Sequence, residues 1–249
     1  MSGRLLAVLG CFEEAPPALT LTQVARRAGL PVSTARRLLA ELTAWGALER
    51  RTDGRYCVGR RLWRIGALAP GRRDLREAAA PFLQDLYEAA RENVQLVVPD
   101  GGEGLVVEKI YGAQAVHTDT GVGERMPLHS TGAGKAILAF APSEFVADVV
   151  AAGLERCTPH TLVEPGRLAA ALRRVRASGV AFSREEMTLG TVSVAAPVLD
   201  GAGSAVAAVA IVARAGTRLE RLEPAVRAAA LGISRAISLS AAADVTRSP

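Results

Sequence analysis

The chain has 249 residues, of which 49% are hydrophobic and 22% are charged. This is enough apolar material for one large or two modest packed domains, and it excludes a disordered or collagen-like chain. The longest uninterrupted apolar run, residues 205–213, is far shorter than the roughly 20 residues that span a bilayer. Since the N-terminus also lacks a signal-peptide pattern, we expect a cytoplasmic protein that does not enter a membrane.

The three cysteines and three histidines are scattered along the chain. Cys11, Cys57 and Cys157 are widely separated and odd in number, and no C-x-x-C or H-x-x-x-H spacing occurs. We therefore predict no disulfide framework, no metal site and no cofactor.

Positive charge is concentrated at the N-terminal end of the chain. Residues 1–80 hold 14 Arg and 7 acidic residues, whereas residues 81–249 hold 16 basic and 18 acidic residues. A basic head on a mildly acidic body indicates that the head binds a polyanion and that the body has another role. The alternative is a small helical interaction module whose arginines are merely solvated.

Two short helices joined by a glycine turn are predicted within the head. Thr20 is the expected N-cap of the first of them, and Gln23 completes a capping box. That helix ends at Gly29, and the next has an apolar stripe on one side and small polar and arginine side chains on the other. This is the helix-turn-helix pattern, in which Ser33 and Arg37 can reach base edges or phosphates.

A basic hairpin follows the helix-turn-helix. Residues 48–58 predict two strands around Asp53-Gly54, which is a strong turn signal. Arginines near its tip favour a wing along the DNA backbone, and so a winged helix-turn-helix that binds double-stranded DNA. The residues predicted to contact DNA are Thr20, Thr22, Gln23, Ser33, Thr34, Arg36, Arg37, Arg50, Arg51 and Arg55.

The sequence divides into three parts. They are a winged helix-turn-helix domain over residues 1–69, a linker helix over residues 70–80 and a second domain over residues 81–249. Pro70-Gly71 marks the boundary. Helical spacing continues over residues 74–88, although Pro81 is expected to kink or restart this helix.

Strand pairs interrupted by helices are predicted in the second domain. One hairpin joins residues 94–98 to 104–111, and another joins residues 192–199 to 205–213. Strand pairs without regular strand-helix alternation predict an α+β fold on an antiparallel sheet. The helical patterns cover residues 132–140, 143–152, 165–178 and 222–237.

No catalytic constellation is visible in this domain. The GAGK run at residues 132–135 lacks the flanking residues of a phosphate-binding loop. The adjacent Glu185 and Glu186 would point to opposite faces of a strand, which argues against a paired acid and base. We therefore predict that the protein is not an enzyme.

A glycine-rich apolar segment, residues 126–135, is predicted to lie beside the strand that carries Thr191 and Ser193. A few small polar groups in an apolar cavity are typical of a site for a small-molecule effector. From the residues alone, the alternative that they are ordinary core residues stays open.

Three segments carry a family resemblance: LTQVARRAGLPVSTARRLLAELTAWGALER, GERMPLHSTGAGKAILA and FSREEMTLGTVSVAAPVLDGAGSAVAAVAI. In this order, they resemble the IclR-type bacterial transcriptional regulators over nearly the whole chain. The resemblance implies a winged helix-turn-helix followed by a GAF-like effector domain, assembled as homodimers that often pair into homotetramers on DNA. It also implies a small organic acid, an aromatic acid or another metabolite as effector.

The resemblance also assigns residues to the effector pocket. Together with Met126 from the glycine-rich segment, the predicted effector-binding residues are Met126, Leu128, Gly132, Ala133, Thr191, Ser193, Ala210 and Val212. Ala210 and Val212 stand where some acid-binding members of the family have hydroxyls. We therefore expect a larger or partly apolar effector rather than a very small, highly charged acid.

The predicted function is that of an IclR-like transcriptional regulator. We expect it to bind near-palindromic operator DNA as a homo-oligomer, with an affinity modulated by a small metabolite. The alternative is a metabolite-sensing adaptor or enzyme whose basic head does not bind duplex DNA specifically.

Overall fold

The chain forms two compact units, residues 1–73 and residues 74–249, which we call the N-terminal unit and the C-terminal unit. The predicted boundary between residues 69 and 70 lies outside the described residues and stays a prediction. Only the backbone is described at residues 72–74 and 240–245. The computed structural model of the chain describes residues 2–13, 18–66, 72–112, 116, 118 and 120–245.

The N-terminal unit is built from short helices and a two-stranded hairpin. Thr20 and Gln23 exchange hydrogen bonds between side chain and backbone at the start of the second helix, so the predicted capping box is confirmed. Gly46 ends the third helix at a φ of 86°, which glycine adopts without strain. The elements are α1 (Ser2–Gly10), α2 (Leu21–Arg27), α3 (Val32–Trp45), β1 (Leu48–Arg50), β2 (Tyr56–Val58) and α4 (Arg60–Gly66).

One apolar cluster holds these elements together. Leu38 and Leu39 of α3 and Leu48 of β1 are completely buried in it. Leu19 pairs with Tyr56 of β2 through two backbone hydrogen bonds of 2.8 and 2.7 Å. Because Leu19 directly precedes the cap of α2, this pairing fixes the hairpin relative to the helices.

A long helix, α5 (Arg72–Ala90), continues through Pro81. The expected restart at Pro81 does not occur. Ala79, Leu83 and Leu86 are buried in the core of the C-terminal unit, and this burial offsets the one backbone hydrogen bond that a proline removes. In the part of the chain that the structure describes, no helix combines the length and apolar character needed to cross a membrane.

The C-terminal unit is a six-stranded antiparallel sheet with helices on both faces, which confirms the predicted α+β class. A short 3-10 helix, Leu219–Arg221, precedes the last helix. The strands are β3 (Asn93–Asp100), β4 (Glu103–Ile110), β5 (Arg125–Pro127), β6 (Ala181–Arg184), β7 (Thr191–Leu199) and β8 (Ala205–Arg214), in the order β5-β4-β3-β8-β7-β6. The remaining helices are α6 (Gly132–Ala139), α7 (Ser143–Ala151), α8 (Pro165–Ser178) and α9 (Glu223–Val245).

Each face of the sheet has its own core. Leu96, Val194 and Ile211 pack with α5 and α9, whereas Val97 and Ala195 pack with α6, α7 and α8. Because both faces are covered, β7 and β8 are apolar along most of their length. The edge strands β5 and β6 were not predicted, since runs of three and four residues carry little periodicity.

Candidate functional site

The exposed face of α3 carries the residues predicted to meet the major groove. Ser33, Arg36 and Arg37 are exposed and Thr34 is half-buried. The opposite stripe of α3 is buried in the apolar cluster of the N-terminal unit. The helix therefore offers a polar surface with two arginines to a binding partner.

These two arginines differ in their surroundings. Arg37 Nη1 lies 2.5 Å from Glu41 Oε1, one turn further along α3, and 52% of the Arg37 side chain is exposed. Arg36 makes no ion pair with any of the described residues. Arg36 is therefore available to bind a phosphate directly. To bind DNA, Arg37 would have to break its ion pair with Glu41 or donate through its remaining N–H groups.

The β1-β2 hairpin brings three exposed arginines together. Arg50 Nε donates to the Gly54 carbonyl at 3.4 Å. The Asp53 carboxylate accepts the backbone N–H of Arg55 at 3.0 Å, which closes the turn. Arg51 is exposed beside them, so the tip of the hairpin is a concentrated positive surface.

The residues predicted to contact DNA around the start of α2 form its cap. The polar groups of Thr20 and Gln23 bond to each other and to the backbone. Thr22 is exposed, and its Oγ1 lies 3.0 Å from Thr20 Oγ1. Thr20 and Gln23 therefore have a structural role that fixes the end of α2, and their contact with DNA stays a prediction.

A cavity of about 140 Å³ lies in the C-terminal unit, between the start of α6, the sheet and the loop after β6. The glycine-rich segment lies beside β7 as expected, although ligand binding there stays a prediction. Six of the eight predicted effector-binding residues line the cavity: Met126, Ala133, Thr191, Ser193, Ala210 and Val212.

The other two predicted residues, Leu128 and Gly132, lie behind the cavity wall. Leu128 is buried in the apolar cluster under α6. The backbone N–H of Gly132 donates to Ser193 Oγ at 3.2 Å, and a Cβ at this position would come within 2.7 Å of that oxygen. Gly132 thus allows α6 to approach β7 and orients the Ser193 hydroxyl.

Sequence reasoning missed nine lining residues, most of them polar. Thr131 was detectable, because a threonine before a helical pattern is an N-cap signal. Ser183 lies on the unpredicted strand β6, and no local signal connects it to the cavity. The missed residues are Gln95, Thr118, Thr120, Ser130, Thr131, Ser183, Met187, Thr188 and Val192.

The groups that the cavity offers to an anion are neutral. Ser130, Thr131 and Ala133 line it, so it lies at the N-terminal end of α6. Within the described residues, no Arg or Lys side chain lines the wall. Hydroxyls, the Gln95 side-chain amide and the positive end of the helix dipole are therefore what can bind a carboxylate there.

Comparison with known proteins connects both units to one family. Residues 3–52 match the family model described as IclR helix-turn-helix domain. Residues 68–239 match the family model described as bacterial transcriptional regulator IclR C-terminal. The chain belongs to the IclR family of bacterial transcriptional regulators.

Named relatives cover nearly the full length of this IclR-family chain. The HTH-type transcriptional regulator KipR of Bacillus subtilis is 31% identical over 237 aligned positions, and the alignment covers 93% of this chain and 94% of KipR. The HTH-type transcriptional repressor AllR of Klebsiella pneumoniae is 31% identical over 251 aligned positions, and the alignment covers 97% of this chain and 91% of AllR.

Solved structures of IclR proteins share the fold. An IclR homologue from Microbacterium hydrocarbonoxydans, complexed with 4-hydroxybenzoate, is 30% identical with a TM-score of 0.88, covering 94% of this chain and 98% of its own. The IclR protein of Thermotoga maritima is 28% identical with a TM-score of 0.79, covering 95% and 98%.

Family membership establishes the class of function. This IclR-family protein is a transcriptional regulator that contacts DNA through its helix-turn-helix, and it is not an enzyme. The suggested alternative of an enzyme with a basic head is thereby overturned.

Proposed function

We propose that this IclR-family regulator binds near-palindromic operator DNA as a homo-oligomer, and that a small ligand in the cavity changes its affinity for the operator. The ligand class that best fits the cavity is a small carboxylate with an aromatic or partly apolar body. The observation that carries this proposal is a partly open cavity at the N-terminal end of α6 that combines apolar surface with several hydroxyl groups.

The exposed faces of the N-terminal unit support the DNA part of the proposal. The polar face of α3 suits the major groove, and the arginines of the hairpin suit the phosphate backbone. A symmetric dimer carries two such heads, so its operator has two related half-sites about one helical turn or a multiple apart.

The composition of the cavity supports the ligand part. Met126, Met187 and Val212 provide apolar surface, while hydroxyls and the start of α6 provide hydrogen-bonding groups. About 140 Å³ is smaller than the roughly 300–1,000 Å³ of pockets for drug-sized ligands, which favours a small molecule. The relative from Microbacterium hydrocarbonoxydans was solved with 4-hydroxybenzoate, a compound of this class.

The regulatory step needs only a difference in affinity between two states. If the ligand binds one arrangement of the two heads better than another, it shifts the population toward that arrangement. A preference of about 1–3 kcal/mol changes DNA affinity about 5- to 150-fold, which is the usual range of allosteric coupling.

Footprinting on the DNA upstream of the protein's own gene tests this proposal. We expect a protected near-palindrome whose half-saturation shifts about 5- to 150-fold with 4-hydroxybenzoate and stays unchanged with glyoxylate. The Ser193→Leu variant is the control, because the larger side chain fills the cavity; it should keep DNA affinity and lose the response.

Two results would contradict the parts of this proposal separately. Equal affinity for the upstream DNA and for random DNA would contradict sequence-specific binding to an operator. A tight complex with glyoxylate in calorimetry, without binding of aromatic acids, would contradict the ligand class.

A further inference from the structure

The loop between β6 and β7, residues 185–190, forms one wall of the cavity through Met187 and Thr188. Glu185 is in the left-handed region with a φ of 57°, and its carboxylate accepts the N–H of Gly190 at 2.7 Å. The N–H of Glu185 donates to the Thr191 carbonyl at 2.9 Å. The two adjacent glutamates therefore belong to a closed loop rather than to the strand considered in the sequence analysis.

Glu186 ties this β6-β7 loop to α6. Its Oε1 lies 2.5 Å from Nζ of Lys135, and the side chains are only 12% and 3% exposed, respectively. Lys135 is in the same helix whose first turn lines the cavity with Ala133. The ion pair thus joins two walls of the cavity, although neither charged residue lines it.

Two threonine hydroxyls attach the same loop to a third segment. Thr158 Oγ1 donates to the Glu185 carbonyl and Thr161 Oγ1 donates to the Glu186 carbonyl, both at 2.6 Å. Both threonines are buried. Thr161 therefore fixes the backbone of Glu186, and Lys135 fixes its side chain.

Burying this ion pair between the loop and α6 has a cost in desolvation free energy. Burial lowers the pKa of Lys135, an effect that the nearby Glu186 opposes and that Arg174 reinforces. Glu186 Oε2 is buried without a hydrogen-bond partner in the described structure. Since a buried charge is costly unless it is fully paired, global stability alone does not account for this arrangement.

We infer that Lys135 and Glu186 are positioning residues that hold the β6-β7 loop against α6 and thereby set the shape and ligand affinity of the cavity. The effect on ligand affinity rests on the proposed function, whereas the effect on the loop does not. Met187 and Thr188 follow Glu186 directly, so the geometry of this wall depends on where Glu186 is held.

Hydrogen exchange of the whole protein, measured without ligand, tests the positioning of the loop. The variants are Glu186→Gln and the double variant Lys135→Met with Glu186→Gln, which leaves no unpaired buried charge. We expect the amides of Gly190 and Thr191 to exchange about tenfold faster or more in both, while β3 and β8 keep their protection. Glu220→Gln is the matched control, since it removes an exposed ion pair with Arg184, at the end of β6.

Calorimetry with 4-hydroxybenzoate then tests the consequence for binding. We expect the double variant to bind 4-hydroxybenzoate at least about tenfold more weakly. Its affinity for operator DNA should be unchanged, because the substitutions lie outside the N-terminal unit and share no partner with it. Unchanged exchange at Gly190 and Thr191, or a uniform increase over the whole sheet, would overturn the inference. If the wild type binds no aromatic acid, the proposed ligand class fails, and the exchange data still decide the role of the ion pair.

Discussion

Arg37 lies on the polar face of α3 together with an acidic neighbour. Glu41 is one turn away on the same helix and pairs with it at 2.5 Å. An exposed pair of this kind contributes little to stability because water and salt screen it. If α3 meets DNA as predicted, we expect its effect to be on recognition, since a carboxylate repels phosphates and orients the guanidinium at the same time.

We expect Arg37→Ala to weaken binding to the operator by about 1–3 kcal/mol for each half-site and to relax sequence preference. The physical reason is the loss of a donor pair that can bond a guanine edge. Fluorescence anisotropy with operator DNA and with random DNA measures both affinities. Equal losses on the two DNAs would show that Arg37 contacts phosphate only.

Glu41→Gln is the matched control for that substitution. It removes the carboxylate while keeping the size of the side chain, and it leaves Arg37 without its partner. Binding to both DNAs should stay equal or become tighter, because one negative charge leaves the DNA-facing side of the helix.

At the scale of the element, α6 is packed against the segment before it with almost no space. A Cβ on Gly134 would overlap the backbone of Leu128. The N–H of Gly134 also donates to the Thr131 hydroxyl at 2.9 Å, which caps the helix. The start of α6 and the cavity wall are therefore held as one piece.

We expect Gly134→Ala to destabilise the C-terminal unit by about 1–3 kcal/mol, because α6 must shift away from Leu128. Denaturant unfolding followed by far-ultraviolet circular dichroism measures this loss, since both tryptophans, Trp45 and Trp63, report only on the N-terminal unit. Binding of 4-hydroxybenzoate should weaken in parallel.

Gly166→Ala provides the comparison for Gly134→Ala. Gly166 lies in the first turn of α8, and a Cβ there meets nothing within 4 Å. We expect this substitution to be neutral or to stabilise by up to about 1 kcal/mol. A similar loss in both variants would mean that the close approach to Leu128 is not the cause.

The elements that could be predicted from the sequence are those whose signals are local. The capping box at Thr20 and the hairpin around Asp53-Gly54 are each specified within a few residues, and the structure contains both. The edge strands β5 and β6 could not be predicted, because they form only by pairing with β4 and β7. Continuation of α5 through Pro81 likewise depends on burial against a distant sheet.

At the scale of the whole molecule, the cavity draws together residues far apart in the chain. Gln95, Thr120, Ser183 and Thr191 lie on four separate segments. No spacing rule connects them. The residue pattern predicted only the segment 126–135 and the strand of Thr191 and Ser193, and the family resemblance added Ala210 and Val212. The glutamate pair at residues 185–186 was examined for catalysis, and its contact with α6 is visible only after folding.

The division of charge along the chain has a consequence for DNA binding by an oligomer. The excess of basic over acidic residues lies in the first 80 residues. The salt dependence of DNA affinity should therefore arise from the N-terminal units of the oligomer. Arg51 is exposed at the tip of the hairpin, where it suits a phosphate contact. In a homodimer, one substitution removes this contact twice.

We therefore expect Arg51→Ala to reduce the slope of log affinity against log salt by about 2, since each lost phosphate contact contributes about 0.9. Anisotropy titrations on operator DNA at several salt concentrations measure the slope. Arg184→Ala removes an exposed arginine of the C-terminal unit and should leave the slope unchanged. A reduction of about 1 would mean that a single head engages the operator, and no reduction would mean that the hairpin does not reach the phosphates.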